Sequence, residues 1–382
     1  MNKRAWAEID LDAVAYNIRE IRKITSPSAK IMGVVKADGY GHGFMEVTKT
    51  ILNNGADYLA VATLEEAVQL RKRKFDVPIL ILGATEDASA DDIVEFDVMP
   101  TVFTYSFAKA LSESAVKKGK KAKIHIKIDT GMSRIGYLCR EESIDEIIKI
   151  SMLDNLEIEG IFSHLACSDE IDREYTERQF ERFTGICERL EKRGLKIPVK
   201  HICNSAGVMM YPQMHMDMVR PGVIIYGLYP SDDVDKTKLA LKPAMTLKAK
   251  VTMVKEVESG VGVSYGKTYI TDKKTKIATV PIGYADGYMR LLSGKAQMLC
   301  GGERVNVIGR ICMDQCMIDV TNVNNINIGD EVTVFGADTI TADTVAGWLG
   351  AINYEIVCMI GRRIPRIYIR NGEVVRKLAY LL

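Results

Sequence analysis

The amino-acid sequence predicts an α/β fold in two parts, an N-terminal (β/α)8 TIM barrel and a C-terminal mainly-β domain. Over about the first 230 residues, short apolar runs alternate with amphipathic segments, as in βα repeats. A polar linker follows, and beyond it apolar and polar residues alternate with a period of two, which is typical of half-buried strands. The length of 382 residues exceeds what one core usually holds and agrees with two domains.

The composition narrows the possible functions. Hydrophobic residues make up 47% and charged residues 26% of the chain, the balance of a soluble globular protein. The net charge of +1, without a long basic block, gives no electrostatic basis for binding nucleic acid or an anionic membrane. No apolar run approaches the roughly 20 residues that span a bilayer, and the N-terminal residues lack the apolar core of a signal peptide.

The cysteines predict a reducing, cytoplasmic location. All 8 are scattered, none forms a Cys-x-x-Cys pair, and a chain of this size does not need disulfides. Cys312 and Cys316, with Asp314 between them, make at most a fragment of a metal site, because no histidine cluster lies nearby to complete it. No metal is expected.

Eight strand candidates define the predicted barrel. They lie at about 31–37, 57–62, 78–82, 99–103, 123–129, 157–163, 199–203 and 217–220. Helix candidates fall before and between them, for example at 12–24, 64–74 and 172–192. Eight strands with intervening helices in about 230 residues match the count and length of a (β/α)8 barrel. A doubly wound sheet is the alternative, but it does not need eight evenly spaced strands.

The second domain is predicted to be mostly β-structure. Strand candidates lie at 246–251, 275–280, 305–310 and 331–335, and Asn371 with Gly372 between two apolar runs signals a hairpin. One helix is expected from about 341 to 359. The predicted domains are 1–238 and 239–382, with the first ten or so residues packing with the C-terminal domain.

Lys36 is the leading candidate for chemistry in the first half of the chain. It ends an apolar run, and a lysine at the end of a buried strand is unfavourable unless it has a partner or a bond to make. Three glycines within the next seven residues permit a tight turn and close approach to a bound group, and Tyr40 stands among them. Two interpretations remain open, a lysine that extends its amine to solvent and a Schiff-base lysine beside an anionic cofactor.

Four further predicted strands are followed by polar residues. In a (β/α)8 barrel the chemistry lies just beyond the C-terminal ends of the strands. The residues at those positions are 129–134, Ser163 with His164, Asn204 with Ser205, and 220–222. The set is hard to explain by structure alone, so we expect a site at this end of the barrel.

At this point the motifs resemble those of bacterial pyridoxal phosphate-dependent alanine racemases, in both halves of the chain and in the same order. The matching segments are 35–43, 127–132, Arg134, His164, 204–205, 220–222, 264–266, 281–287, 309–314 and Tyr354. The resemblance implies a barrel plus a C-terminal β domain, with pyridoxal 5'-phosphate as cofactor. It also implies interconversion of L- and D-alanine that supplies D-alanine for peptidoglycan, and a head-to-tail homodimer with shared active sites.

The resemblance also implies roles for the cofactor-binding residues. Lys36 would hold the cofactor as a Schiff base and act as a base once freed. The phosphate would be bound by Tyr40, Ser205, Gly222, Val223 and Tyr354, with His164 and Asn204 also at the cofactor. Ser205 near a helix start can equally be read as an N-cap. Arg220 would face the pyridine nitrogen, where arginine cannot accept a proton, although it can also be read as a surface residue before a Pro-Gly turn.

Further implied roles concern the substrate. Racemisation needs proton transfer on two opposite faces, and Tyr265 of the partner chain resembles the second base, with His164 and Arg220 around it. Arg134 and the partner's Met313 would hold the substrate carboxylate, and Lys127 resembles a lysine that some members carry as a carbamate. An access corridor would be lined by Tyr265, Tyr284, Tyr354 and Ile352, with Arg290 and Arg310 further out.

Three alternatives remain at the level of sequence. A barrel-type amino-acid decarboxylase would be expected to show Cys-x-x-Cys-Asp in the second domain and an acidic partner for the pyridine nitrogen. A cofactor-carrying homeostasis protein would consist of a lone barrel and would lack the residues after the linker. A racemase that prefers serine or another small amino acid is the third, since a hydroxyl adds little bulk.

Overall fold

A computed structural model describes residues 4–336 and 340–381. Residues 1–3, 337–339 and 382 of the predicted domains lie outside the described residues. The chain forms two compact units. The barrel unit consists of Ala15–Gly39 and Val47–Leu241. The β unit consists of the described residues up to Val14, the segment Tyr40–Glu46 and the described residues from Lys242 onward.

The strands and helices have the following bounds. The strands are β1 (Ala5–Asp10), β2 (Lys30–Val34), β3 (Tyr58–Val61), β4 (Ile79–Ile81), β5 (Met99–Val102), β6 (Ala122–Asp129), β7 (Tyr137–Leu138), β8 (Leu156–Phe162), β9 (Val199–His201), β10 (Met218–Val219), β11 (Met245–Lys250), β12 (Met253–Val257), β13 (Gly262–Val263), β14 (Tyr269–Ile270), β15 (Thr275–Val280), β16 (Gln297–Cys300), β17 (Glu303–Ile308), β18 (Cys316–Asp319), β19 (Glu331–Phe335), β20 (Arg366–Arg370) and β21 (Glu373–Leu378). The helices are α1 (Leu11–Ile24), α2 (Lys36–Tyr40), α3 (Phe44–Leu52), α4 (Leu64–Lys72), α5 (Ala90–Glu95), α6 (Tyr105–Lys118), α7 (Glu141–Ser151), α8 (Glu174–Lys192), α9 (Ser205–Met210), α10 (Ala342–Leu349) and α11 (Asn353–Cys358).

The barrel unit confirms the predicted (β/α)8 architecture. Its strands pair in the order β10-β2-β3-β4-β5-β6-β8-β9, every pairing is parallel, and all eight predicted strands are present. The ring is completed by backbone hydrogen bonds from Asp217 to Lys200 O (3.1 Å) and from Arg220 to Cys203 O (3.0 Å). Parallel strands with both faces covered are apolar throughout, and β3 and β4 are buried along their whole length. The fold therefore gathers all the strand ends at one face.

One glycine of the barrel permits a close contact that the site depends on. Gly160 lies in β8, opposite His125 of β6. A Cβ at Gly160 would lie 2.2 Å from His125 Nδ1, so the histidine ring occupies the space that any other residue would fill. This contact places a polar ring inside the barrel, where apolar side chains are the rule.

The β unit is built on one ten-stranded sheet. Its order is β12-β15-β18-β17-β16-β19-β11-β1-β20-β21, and β1 pairs parallel with β20 but antiparallel with β11. The predicted hairpin is confirmed, since Asn371 and Gly372 join β20 to β21 with φ values of 52° and 76°. The predicted single helix at 341–359 is wrong, because Gly350 takes φ 68° at the C-cap of α10 and α11 begins separately.

A search of the described residues for membrane spans found none: no helix there is both long enough and apolar enough to cross a bilayer.

Candidate active site

Lys36 opens a left-handed helical turn just after β2. Ala37, Asp38, Gly39 and Tyr40 have φ values of 52°, 53°, 62° and 51°, and the Gly39 N–H donates to Val35 O at 2.9 Å. The left-handed conformation is unfavourable by about 1–2 kcal/mol for each residue with a side chain, and such strain is typical of functional sites. The glycines predicted a tight turn, but nothing local predicted that alanine, aspartate and tyrosine would adopt this hand.

Glu66 lies in the first turn of α4, just after the neighbouring strand β3, and stabilises the turn that follows Lys36. The sequence did not predict that role. Glu66 Oε1 accepts from the Ala37 N–H at 2.6 Å and its Oε2 from the Ala62 N–H at 2.8 Å, so one carboxylate fixes the ends of β2 and β3. Thr63 caps α4, and Glu66 three residues later has the spacing of a capping box. That spacing was the available signal, but it indicates only a local cap.

Arg220 is buried, with 3% of its surface exposed, and forms the centre of a polar network. Its guanidinium donates to His201 Nδ1 (2.9 Å), Ser163 O (2.7 Å), Ile202 O (3.0 Å) and His164 Nδ1 (3.2 Å). Burial lowers the pKa of Arg220 to about 10, so it remains charged at neutral pH. The interpretation of Arg220 as a surface residue before a turn is wrong.

The network continues to a histidine pair that the sequence analysis did not single out. Because Arg220 only donates, His201 accepts at Nδ1 and donates from Nε2 to His125 Nδ1 at 2.9 Å. Burial and the Arg220 charge lower the pKa of His201, and burial lowers that of His125 to about 4. Both rings are therefore neutral at pH 7. A polar residue within an apolar strand was the only sequence signal.

Lys127 lies inside the barrel, with 3% of its surface exposed. Its Nζ donates to Ile128 O at 2.6 Å and lies 5.4 Å from the centre of the Phe162 ring. Burial first, and then the charge of Arg220, lower the pKa of Lys127 to about 7. A substantial share of the amine is therefore neutral, and nucleophilic, at neutral pH.

His164 lies within reach of four cationic residues. Its pKa is lowered well below the usual value, first by burial of the ring and then by the charges of Arg220, Arg134, Lys127 and Lys36, in that order. The barrel unit therefore brings together five of the predicted residues, here called the cation cluster. The positive charges of Arg220, Arg134 and Lys36, with the partly protonated Lys127, surround a neutral imidazole and make a site that attracts anions.

Arg134 reaches this cluster from an exposed loop after β6. Asp129 at the end of β6 accepts at Oδ1 from the N–H groups of Gly131 (2.9 Å) and Ser133 (3.1 Å). Ser133 has φ 56°, so the loop is held in an unusual conformation directly before the arginine. The aspartate thus fixes the backbone from which Arg134 extends.

Predicted cofactor-binding residues lie at the start of α9 and in the turn that follows β10. Asn204 is the N-cap and accepts from the Gly207 N–H at 2.9 Å, so reading Ser205 as the cap is wrong. Ser205 Oγ instead accepts from the Gly222 N–H at 2.9 Å. Val223 opens a short 3₁₀ turn, Val223–Tyr226. A hydroxyl and the first N–H groups of two helical turns are suited to an anion.

Tyr40 and Tyr354 form a pair in the β unit. Their ring centres are 6.2 Å apart, and the pKa of Tyr40 is raised, first by burial and then by Tyr354. Gly41 next to Tyr40 has φ 78°, and a Cβ there would lie 2.1 Å from Val357 O on α11. Only glycine permits this approach of the 40–43 segment to the helix that carries Tyr354.

Tyr265, Met313 and Tyr284 of the β unit are exposed, with 72%, 52% and 43% of their surfaces accessible. The Tyr284 N–H donates to Cys312 O (3.2 Å), and the Ala285 N–H donates to Met313 O (3.0 Å). The loops that carry Met313 and Tyr284 are therefore joined through their backbones. Ile352, predicted for the access corridor, is also exposed.

Comparisons with known proteins identify the family and the fold. The family model described as alanine racemase, N-terminal domain, matches residues 9–230, and the model described as alanine racemase, C-terminal domain, matches residues 244–368. The protein named alanine racemase 1 of Clostridium acetobutylicum is 51% identical over 98% of both chains. An alanine racemase of Methanococcus maripaludis is 50% identical over 95% of this chain and 98% of its own.

Solved structures agree with the sequence comparison. Alanine racemase of Clostridium difficile 630 in complex with cycloserine superposes with a TM-score of 0.95, at 44% identity and full coverage of both chains. Alanine racemase of Bacillus anthracis with bound L-Ala-P has a TM-score of 0.94, at 37% identity and coverage of 100% of this chain and 99% of that one.

Fold, site and similarity together define an amino-acid racemase, which is an isomerase. The chain belongs to the alanine racemase family. Because the family models match both halves of the chain, the lone-barrel and decarboxylase alternatives are set aside.

Proposed function

We propose that this protein interconverts L-alanine and D-alanine with pyridoxal 5'-phosphate and supplies D-alanine for peptidoglycan. The observation that carries the proposal is the cation cluster, in which Lys36, Lys127, Arg134 and Arg220 all act on His164. Such a site suits a cofactor and a substrate that both carry negative charge. A family member solved with bound L-Ala-P supports a substrate of the size of alanine.

The residues present fit pyridoxal phosphate. Lys36 supplies an amine for a covalent bond, Ser205 and the turn at Val223 supply donors for a phosphate, and Arg220 supplies a buried charge. When bound, the cofactor joins the substrate amino group and delocalises negative charge from Cα. Arg220 keeps its own proton at neutral pH and would not accept one from the ring nitrogen, so it would limit how much negative charge the ring takes up.

Two bases on opposite faces of the substrate would remove and return the Cα proton. Lys36 Nζ would remove the Cα proton of D-alanine, and the phenol oxygen of the partner subunit's Tyr265 would act on L-alanine. Arg134 would bind the substrate carboxylate through its planar fork of donors, with the backbone of the partner subunit's Met313. His164 is neutral and accepts a hydrogen bond from Arg220. It would therefore connect the positive charge of Arg220 to the phenol of the partner subunit's Tyr265.

We further propose that the work is divided between domains 1–238 and 239–382 in a head-to-tail homodimer. The first domain would hold the cofactor lysine, and the second would present its substrate-facing residues to the partner. The exposure of Tyr265 (72%) and Met313 (52%) in the single chain supports this division. All eight cysteines are free, which supports a reducing, cytoplasmic location.

Lys127 is proposed to be carbamylated. Its pKa of about 7 leaves a neutral amine that adds to carbon dioxide, with loss of one proton. The charges of Arg220 and Arg134 lie close enough to lower that pKa, so they would favour an anionic carbamate over an ammonium group. A carbamate there would orient Arg134.

Turnover of pure amino acids tests the proposed function. The holoenzyme is incubated with L-alanine, L-serine or L-lysine, and the enantiomers are separated by chiral chromatography. We expect alanine to be converted fastest, with an equilibrium ratio near one. Faster conversion of serine would favour the serine racemase alternative, and loss of carbon dioxide without racemisation would reject the proposal.

A further inference from the structure

Ser264, directly before Tyr265, has a backbone conformation that is almost exclusive to glycine. Its φ is 63° and its ψ is −172°. Two more residues of the same turn have positive φ, Gly266 (71°) and Lys267 (49°). Tyr265 therefore lies in a strained turn whose conformation must be enforced by its surroundings.

Arg310 supplies contacts on both sides of Tyr265. The Ser264 hydroxyl donates to Arg310 O at 2.6 Å and lies 3.5 Å from Cys312 Sγ. On the other side, a Cβ at Gly266 would lie 3.0 Å from a guanidinium nitrogen of Arg310, so the arginine side chain packs against that glycine. The Ser264 hydroxyl bond is thus a short, specific link between the turn and the 309–313 loop that follows β17.

The side chain of Tyr265 is 72% exposed in the single chain, so within its own subunit its direction depends mainly on the backbone beneath it. An exposed side chain on a relaxed turn would sample several directions, whereas a fixed turn restricts the phenol. Loss of the hydroxyl link would let the turn relax and the phenol move.

We propose that Ser264 is a positioning residue for the proton transfer at Tyr265: its hydroxyl, bonded to Arg310 O, holds the strained turn that sets the direction of the phenol. The inference rests on the proposed function, because it assigns Tyr265 as the base that acts on L-alanine. Ser264 itself touches no reacting atom in this role. Its effect should therefore fall on one of the two proton abstractions.

Two substitutions separate positioning from support of the fold. Ser264→Ala removes the hydroxyl and keeps a side chain in the glycine-type conformation, so it loses the link and retains the strain. Ser264→Gly also loses the link but relieves the strain, and it should unfold at a higher temperature than Ser264→Ala. Ser259→Ala is the matched control, since the Ser259 hydroxyl makes a similar bond to Asp272 O at 3.0 Å, at an exposed site at the base of the same loop but outside the Ser264–Lys267 turn.

The experiment measures Cα hydrogen exchange into deuterated water from each enantiomer of alanine, under single-turnover conditions with the holoenzyme. Thermal unfolding of each variant is recorded in parallel. We expect both Ser264 variants to slow exchange from L-alanine about tenfold, the effect of one lost hydrogen bond. Exchange from D-alanine and all rates of Ser259→Ala should stay near wild type.

Wild-type exchange from L-alanine in Ser264→Gly would overturn the inference, and so would equal slowing of both enantiomers in step with a lower unfolding temperature. Tyr265→Phe serves as the reference. It should slow exchange from L-alanine by about 10² to 10⁴. If Tyr265→Phe leaves that exchange unchanged, the two-base function fails; if only the Ser264 variants leave it unchanged, the positioning inference fails alone.

Discussion

The chemistry-bearing residues of the two units are held in opposite ways. In the barrel unit, Arg220 and Lys127 are each 3% exposed, and the guanidinium of Arg220 donates to four acceptors. In the β unit, Tyr265, Met313 and Tyr284 lie on the surface, and backbone hydrogen bonds join the loops that carry Met313 and Tyr284.

The difference shows two physical routes to a fixed side chain. A buried polar group is positioned because leaving any of its hydrogen bonds unmade is unfavourable. An exposed group has water as an alternative partner, so its direction must come from the backbone that carries it. We therefore ask whether Lys36 of the barrel unit acts within its own chain and whether Tyr265 of the β unit acts in the partner chain.

The largest effect is expected for Lys36→Ala. Removal of a general base lowers rates by about 10² to 10⁴, and loss of the covalent attachment should bring the loss to at least the upper end of that range. Borohydride treatment of the wild type, followed by peptide mapping, should label Lys36. Lys30→Ala, on strand β2 of the same unit, is the control and should still be labelled at Lys36; reduction of another lysine in the wild type would contradict the assignment.

Mixing two inactive variants tests the exposed group. Heterodimers of Lys36→Ala chains with Tyr265→Ala chains should recover up to about half of the wild-type activity, because one of the two shared sites then has both bases. Activity is assayed on heterodimers purified by two different tags. Verified heterodimers without activity would mean that Tyr265 does not act in the partner's site.

A smaller effect is expected at the anion-binding end of the barrel. Ser205→Ala removes the acceptor of the Gly222 N–H and a donor for the phosphate, so cofactor affinity should fall about tenfold. Titration of the apoenzyme with pyridoxal phosphate, followed by absorbance, gives the Kd. Ser112→Ala removes an equally buried hydroxyl that donates to Asp154 O, and its Kd should not change.

The last prediction concerns the pH dependence of stability, not activity or binding. Lys127 has a folded pKa of about 7, lowered by burial, against an ordinary value of 10.5. Between those values the unfolded chain binds the extra proton, so the free energy of unfolding should rise with pH, by up to about 1.4 kcal/mol per pH unit. Below pH 7 the full penalty for burying the charge is present, and above pH 10.5 it is gone.

Urea unfolding in carbon dioxide-free buffer at several pH values between about 7 and 10 measures this slope. Lys127→Met should abolish the contribution, whereas Lys109→Met, at an exposed site on α6, should retain it. A wild-type slope that survives in Lys127→Met would show that another group titrates.

Local patterns were enough to predict the barrel strands and several strands of the β unit, but not β12, β16 or β18. The alternation of apolar runs and amphipathic segments predicted all eight barrel strands, and Asn371 with Gly372 predicted the last hairpin. Strand β1 was not predicted, because its pairing with β20 joins residues far apart in sequence. The helix at 341–359 was predicted as one because Gly350 can be tolerated within a helix and only the structure shows its left-handed conformation.

The sequence by itself determined the barrel-plus-β architecture and the polar residues at the strand ends. The spacing of hydrophobic residues defines the strands, and the chain order of strands and helices decides which residues lie at the C-terminal face of the barrel. The sequence did not determine the left-handed turn after Lys36, the bonding of Arg220 to His201, or the strained turn at Ser264. Each depends on residues brought from distant segments: Glu66 for the first, a neighbouring strand for the second and Arg310 for the third. Strain and buried charge are stable only when such distant partners supply the compensating hydrogen bonds, so these features belong to the tertiary structure.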